Sequence, residues 1–180
     1  GTASEDARFN RATLGVYELG STFKIFNTAA VLDAGIANMT SRYDATKPLR
    51  VARFTIRDYH AKNRWLSVPE IFIYSSNIGS ARMASELGPA NQRAFLTKLG
   101  FLSPAPVELP EVGHPQYPKV WRPVNTMTIS YGHGLAVSPL QLASGVSAMV
   151  NGGTLYKATL MATDAERKGE KIIAKRTSDA

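Results

Sequence analysis

Ser21 and Lys24 stand three residues apart in Tyr17-Glu18-Leu19-Gly20-Ser21-Thr22-Phe23-Lys24, between a glycine and an apolar run (Ile25, Phe26, Ala29, Ala30, Val31, Leu32). The glycine predicts a sharp turn into a buried helix, with Ser21 in its first turn. Residues three apart share a helix face, so the Lys24 amine can reach the Ser21 hydroxyl. A serine hydroxyl becomes a useful nucleophile only when a neighbouring base takes its proton. Lysine serves as that base when burial lowers its pKa toward neutrality. The apolar helix supplies the burial, and the positive end of the helix dipole favours an oxyanion forming at Ser21. Ser-x-x-Lys alone says little, because ordinary residue usage produces it roughly once per 300 positions. The plain alternative is a helix-capping serine followed by a surface lysine.

A second polar cluster, Ser75-Ser76-Asn77, follows the apolar run Ile71-Phe72-Ile73-Tyr74, which is expected to carry it into the interior. Ser67-Val68-Pro69-Glu70 is a capping box that starts a helix just upstream. Ile78 to Leu87 reads as another helix, ended by Gly88-Pro89. Ser75 and Asn77 are therefore expected at a junction between two helices, facing a cleft. Here too the alternative is a group of helix-capping side chains.

Taken in order, these segments resemble a known family. Ser-x-x-Lys followed by Ser-x-Asn makes up the first two parts of the motif set of penicillin-binding proteins and serine β-lactamases. Phe9-Asn10-Arg11-Ala12-Thr13, Phe54-Thr55-Ile56-Arg57-Asp58, Gly100-Phe101 and Glu108-Leu109-Pro110-Glu111-Val112-Gly113 fall in the family's order. So do Ser130-Tyr131-Gly132-His133-Gly134 and Ser138-Pro139-Leu140-Gln141-Leu142-Ala143, running on to Asn151-Gly152-Gly153. The resemblance is to class B penicillin-binding proteins, the division-type peptidoglycan D,D-transpeptidases, from about Phe9 to about Thr159. Leu19 stands where the family usually has proline. The family's third motif, Lys-Thr-Gly or Lys-Ser-Gly, is absent; Lys157-Ala158-Thr159 and Lys168-Gly169-Glu170 do not fit it.

The resemblance implies an α+β fold: the helix-rich part of the penicillin-binding-protein/serine β-lactamase transpeptidase fold, with most of the central sheet outside this chain. Residues 1–180 would be a partial transpeptidase domain, inactive alone, packed against the remaining part of the same domain. It implies Ser21 as nucleophile, Lys24 as base, Ser75 as proton relay and Asn77 as a contact to substrate and to Lys24. Its substrate would be the peptidoglycan stem peptide, and β-lactam antibiotics would acylate Ser21. Cell-division proteins are implied partners, and the implied location is the periplasmic face of the inner membrane, with the anchor outside this chain. A β-lactamase or β-lactam-sensing receptor of the same fold is the nearer alternative. Against a class A β-lactamase stand Ser76, where those enzymes have aspartate, and the lack of their Glu-x-x-x-Asn pattern; Glu86, Glu108 and Glu111 do not supply it.

The net charge of +7, from 21 basic and 14 acidic residues, admits a more distant alternative, a basic helical module binding an anion such as nucleic acid. Apart from a cluster between Arg167 and Arg176, however, the basic residues read as scattered, with no basic stripe interleaved with aromatics, so no nucleic acid is expected. Cysteine is absent, which excludes disulfides and thiolate metal sites. His60, His114 and His133 are too dispersed to form a metal site by spacing. No metal or cofactor is expected, and His133 reads as structural.

The remaining elements follow from local signals. A nucleophile helix is predicted over about Ser21 to Ala34, closed by Gly35, and a short strand or extended arm between Pro48 and Asp58. A helix is expected from Pro89 to Leu99, then a long irregular connection with five prolines between Phe101 and Arg122. Ser138-Pro139-Leu140-Gln141 is a second capping box, whose helix ends at Asn151-Gly152-Gly153. A hairpin is expected within Leu155 to Ile173. Thr177-Ser178-Asp179-Ala180 reads as a helix N-cap with its helix cut off.

Overall fold

A computed structural model describes residues 4–162 and 166–180. The elements are α1 (Glu5–Arg8), β1 (Tyr17–Glu18), a 3-10 turn (Gly20–Phe23), α2 (Lys24–Asp33), β2 (Arg42–Asp44), β3 (Leu49–Val51), β4 (Phe54–Ile56) and β5 (Trp65–Ser67). They continue with α3 (Val68–Ile73), α4 (Asn77–Lys98), α5 (Pro123–Ile129), β6 (Ala136–Val137), α6 (Pro139–Val150), β7 (Thr154–Leu155), β8 (Glu170–Lys171) and α7 (Lys175–Asp179). The strands pair antiparallel in two-stranded sheets: β1 with β6, β2 with β5, β3 with β4, and β7 with β8. This is the expected α+β class.

Helix α2 is the element around which the rest assembles. Phe23, Phe26 and Ala29 enter one apolar core with Leu96, Phe101, Ile129, Val137 and Ile173. Ala30 and Val31 enter a second core with Leu66, Ile71, Ile78 and Met83. Phe26 meets the edges of Phe23 and Phe101 at ring-centroid distances of 5.5 and 4.9 Å, geometries that aromatic quadrupoles favour. A helix gripped on two sides has little freedom to rotate or slide, so the residues at its start are held in place.

Local signals govern most element ends. Both capping boxes form, with Ser67 and Glu70 bonding each other's backbone at the start of α3 and Ser138 and Gln141 doing so at the start of α6. Gly88, at φ 78°, breaks α4 at the position its Gly-Pro pair predicts. The five-proline connection holds no helix, and its Gln116 makes one bridge to Ala136. The β7–β8 pairing forms the expected hairpin, whose residues 163–165 lie outside the described residues.

Three expectations need correction. The run Ile71–Tyr74 does not carry the second cluster inward: Ile71 is buried, while Phe72, Ile73 and Tyr74 are exposed, Ile73 at 71%. In a six-residue helix only the face of Val68 and Ile71 can point into the core, so four consecutive apolar residues cannot all be buried. Thr177 does not cap a helix start. It lies inside α7 and donates to the Asp33 carboxylate at 2.9 Å, and Asp33 also accepts from the Ala174 N–H at 2.7 Å. Basic and aromatic side chains do interleave, between residues 47 and 65 and onto Tyr74. Arg53 stacks over Phe54, and Lys62 and Arg64 lie over Tyr74.

The turn before α2 is fixed by the loop that follows α5. Gly20 donates its N–H to the Gly132 carbonyl at 3.2 Å. Gly132 sits at φ +89°, and a Cβ there would overlap the Gly20 backbone. Gly132→Ala should therefore cost about 2–3 kcal/mol through a forbidden conformation and a backbone clash. Denaturant unfolding monitored by circular dichroism checks it; an unchanged midpoint would mean that the two loops are not in contact.

Candidate active site

Lys24 is the residue on which the site is built. Its side chain is 2% exposed. Its Nζ lies 2.7 Å from the Ser75 carbonyl oxygen, 2.7 Å from Asn77 Oδ1, 2.8 Å from Ser75 Oγ and 3.1 Å from Ser21 Oγ. The four predicted site residues, drawn from two segments more than fifty positions apart, thus meet at one nitrogen. Burial is the larger influence and pushes the amine down from an ordinary 10.5 to about 8, while the Asp58 carboxylate acts in the opposite direction.

Hydrogen-bond inventory determines how a neutral amine fits there. It has two N–H donors and one lone pair. The Ser75 carbonyl and Asn77 Oδ1 can only accept, so they take both donors. The Asn77 amide is oriented for this, because its Nδ2 donates to the Arg57 carbonyl at 3.0 Å. The lone pair is left to a hydroxyl, and the hydroxyls of Ser21 and Ser75 both lie within reach. The site therefore suits a base that accepts a proton from one serine and shares it with the other.

Each side chain is positioned by local structure. Ser21 sits exposed in the 3-10 turn, one turn ahead of Lys24 and on the same face. Ser75 lies between α3 and α4 at φ 54°, a left-handed conformation uncommon for serine. That turn aims its carbonyl and its hydroxyl at the same lysine. Ser76 faces away from Lys24: it caps α4 by accepting from Gly79 N–H at 2.9 Å and donates to Asp58 Oδ2 at 2.8 Å. One turn further along, Asn27 of α2 donates to the Ser80 carbonyl of α4 at 3.2 Å, repeating the link between the helices below the site.

The other polar candidates do not join the site. His133 Nδ1 lies 3.1 Å from the Glu18 carboxylate at the surface, which fits the structural reading. Glu18 is also held below its ordinary range, chiefly by accepting the Gly134 N–H. Glu86 accepts from the Tyr43 hydroxyl, and Glu108 from Thr159 and Leu160. Asp58 carried no expected role, yet it is bonded to the second cluster; its sequence signal was only its place in a segment of the right order. A cavity of about 440 Å³ lies elsewhere, between the end of α4, the start of α6 and the β7–β8 hairpin. Ser21 itself opens to solvent. Among the described residues no cluster of side chains could hold a metal ion, and no helix is long and apolar enough to cross a membrane.

Residues 2–180 match the penicillin binding protein transpeptidase domain. The chain belongs to the penicillin-binding protein transpeptidase family. Among its curated relatives is the probable peptidoglycan D,D-transpeptidase FtsI of Caulobacter vibrioides, 39% identical over 99% of this chain and 31% of the relative. Stage V sporulation protein D of Bacillus subtilis is 32% identical over 82% of this chain and 23% of its own length. The chain thus spans about a third or less of these relatives. Among solved structures, the transpeptidase domain of Burkholderia pseudomallei penicillin-binding protein 3 superimposes with a TM-score of 0.88. It is 27% identical, with 95% of this chain and 53% of that one covered.

Ser75 carries a testable cost. Ser75→Gly removes the strain of a left-handed serine and should raise stability by up to about 1 kcal/mol, whereas Ser75→Ala should not. Denaturant midpoints of the two variants check this; glycine no more stable than alanine would contradict the positive φ.

Proposed function

We propose that this chain carries the acylation half of a peptidoglycan D,D-transpeptidase site, with Ser21 as nucleophile and Lys24 as its base. The observation that carries the reading is the pairing at Lys24: two obligate acceptors for its N–H groups, two hydroxyls for its lone pair, and burial that brings the amine to about 8.

In this reading Lys24 takes the Ser21 proton as Oγ attacks the carbonyl of the penultimate D-alanine of a stem peptide. The oxyanion faces the Ser21 backbone N–H at the positive end of the turn and helix. As the C–N bond breaks, the Lys24 proton passes through Ser75 Oγ to the departing D-alanine amine, leaving an ester on Ser21. An amine of a neighbouring stem then attacks that ester, its proton returns through Lys24, and Ser21 is released with the cross-link formed. Asn77 holds Lys24 and contacts the donor peptide. β-Lactams mimic the D-alanyl-D-alanine end and acylate Ser21.

The rest of the transpeptidase domain packs against the apolar groove beside α2, supplying the third-motif strand and the second oxyanion donor. Support comes from the apolar lining of that groove, which includes Ile25, Leu32, Met39, Phe72 and Val150, and from the chain spanning 53% of the Burkholderia pseudomallei transpeptidase domain. The relatives named as peptidoglycan D,D-transpeptidases support work outside the cytoplasm. The periplasmic face of the inner membrane, an anchor beyond this chain and cell-division partners complete the proposal.

In the full-length protein, Ser21→Ala should abolish the covalent adduct of a fluorescent penicillin, read by mass spectrometry. An adduct of unchanged yield would refute the nucleophile.

Lys24 is a base only when deprotonated, so the acylation rate should rise with pH and level off above about 8. Lys24→Arg keeps a charge that cannot be shed, and should slow acylation at least about a hundredfold. A loss below tenfold in a folded variant would assign the proton to another group.

A further inference from the structure

Residues 57 and 58, in the arm that follows β4, bracket the loop carrying Ser75 and Asn77. Asp58 Oδ2 accepts from the Ser76 hydroxyl at 2.8 Å, and its Oδ1 accepts from the Ile78 N–H at 2.9 Å. The Arg57 carbonyl accepts from Asn77 Nδ2 at 3.0 Å. Three bonds from two adjacent residues thus fall on three successive residues of the loop. Ile78 N–H and Gly79 N–H are first-turn donors of α4 without partners in the helix. Asp58 takes the first and the Ser76 hydroxyl the second. A carboxylate is favoured at this end of a helix.

A purely mechanical clamp would not need a charge, since a serine or asparagine can also cap a helix. The carboxylate does a second thing. The groups touching Lys24 from its own turn and from the 75–77 loop are all neutral. Among the described residues, the charge acting on the amine is that of Asp58, which opposes the effect of burial.

We propose that Asp58 is a positioning residue of this site, acting through Lys24: it holds the loop that presents Ser75 and Asn77, and its charge sets how readily the buried amine gives up its proton. The proposal rests on the transpeptidase reading above. Burial disfavours the charged amine, whereas an ion pair in direct contact would strongly favour it. A carboxylate one layer out, tied down by two hydrogen bonds, lies between these extremes.

The test measures acylation of the full-length protein by a fluorescent penicillin as a function of pH. Asp58→Asn keeps an acceptor for the Ile78 N–H and removes the charge. Its rising limb should move to lower pH, and its plateau should fall about tenfold or more as the loop loosens. Ser76→Ala weakens the clamp but keeps the charge, and should slow acylation with the limb unmoved. If the asparagine variant is too unstable to assay, Asp58→Ser removes the charge with a smaller group and must give the same acid shift. A limb that stays in place or moves to higher pH overturns the proposal, even if melting temperature falls. An equal acid shift in Ser76→Ala also overturns it, because the cause would then not be the charge. Wild-type protein that takes no label would refute the transpeptidase reading itself, a result distinct from these.

Discussion

A lysine amine held out of water among four oxygens is the constraint on which this structure turns. Lowering its pKa from 10.5 to about 8 means the ammonium form is disfavoured there by about 3 kcal/mol relative to water. That is a sizeable fraction of the stability of an ordinary domain. Such a group stays buried only if the surrounding structure holds it there. Here α2 is packed into two cores, one through Phe26 and Ala29 and the other through Ala30 and Val31. Lys24 sits in the same stretch, so the packing that fixes the helix also keeps its amine dry.

The second segment meets that lysine by an arrangement that sequence periodicity does not describe. Ser75 adopts a left-handed backbone, and in that conformation both its oxygens meet one nitrogen. Strain of this kind survives when its surroundings over-determine it. Here the surroundings are the capped start of α4, the Asp58 carboxylate and the Arg57 carbonyl. The link from Asn27 to Ser80 one turn below keeps α2 and α4 in register, so the two halves of the site do not slide past one another.

How much of this was legible in the chain follows from the range of the forces involved. Capping boxes, the Gly88-Pro89 break and the proline-rich connection are local, and they stand where their own residues signal them. Ser21, Lys24, Ser75 and Asn77 could be grouped by motif order although the fold joining them is invisible in the chain, and they do meet at the Lys24 amine. What stayed hidden was tertiary. The exposure of Phe72 to Tyr74 depends on which face α3 turns inward. The part Thr177 plays depends on a carboxylate at residue 33, far back in the chain. Asp58 resembles any arm residue until the arm is seen lying across the start of α4. Arg53 beside Phe54 was open to view in the chain, but the placing of Lys62 and Arg64 over Tyr74 came only with folding.

The dryness of Lys24 has a further consequence, which concerns order of failure. Its weak basicity is a property of exclusion from water and not of the amine itself. Any local opening that admits solvent returns the amine toward its ordinary pKa and shrinks the already small deprotonated fraction present at neutral pH. Such openings need far less free energy than global unfolding. On warming, the chemistry of this site would fade while the helices are still formed, and it would return on cooling without any refolding of the chain.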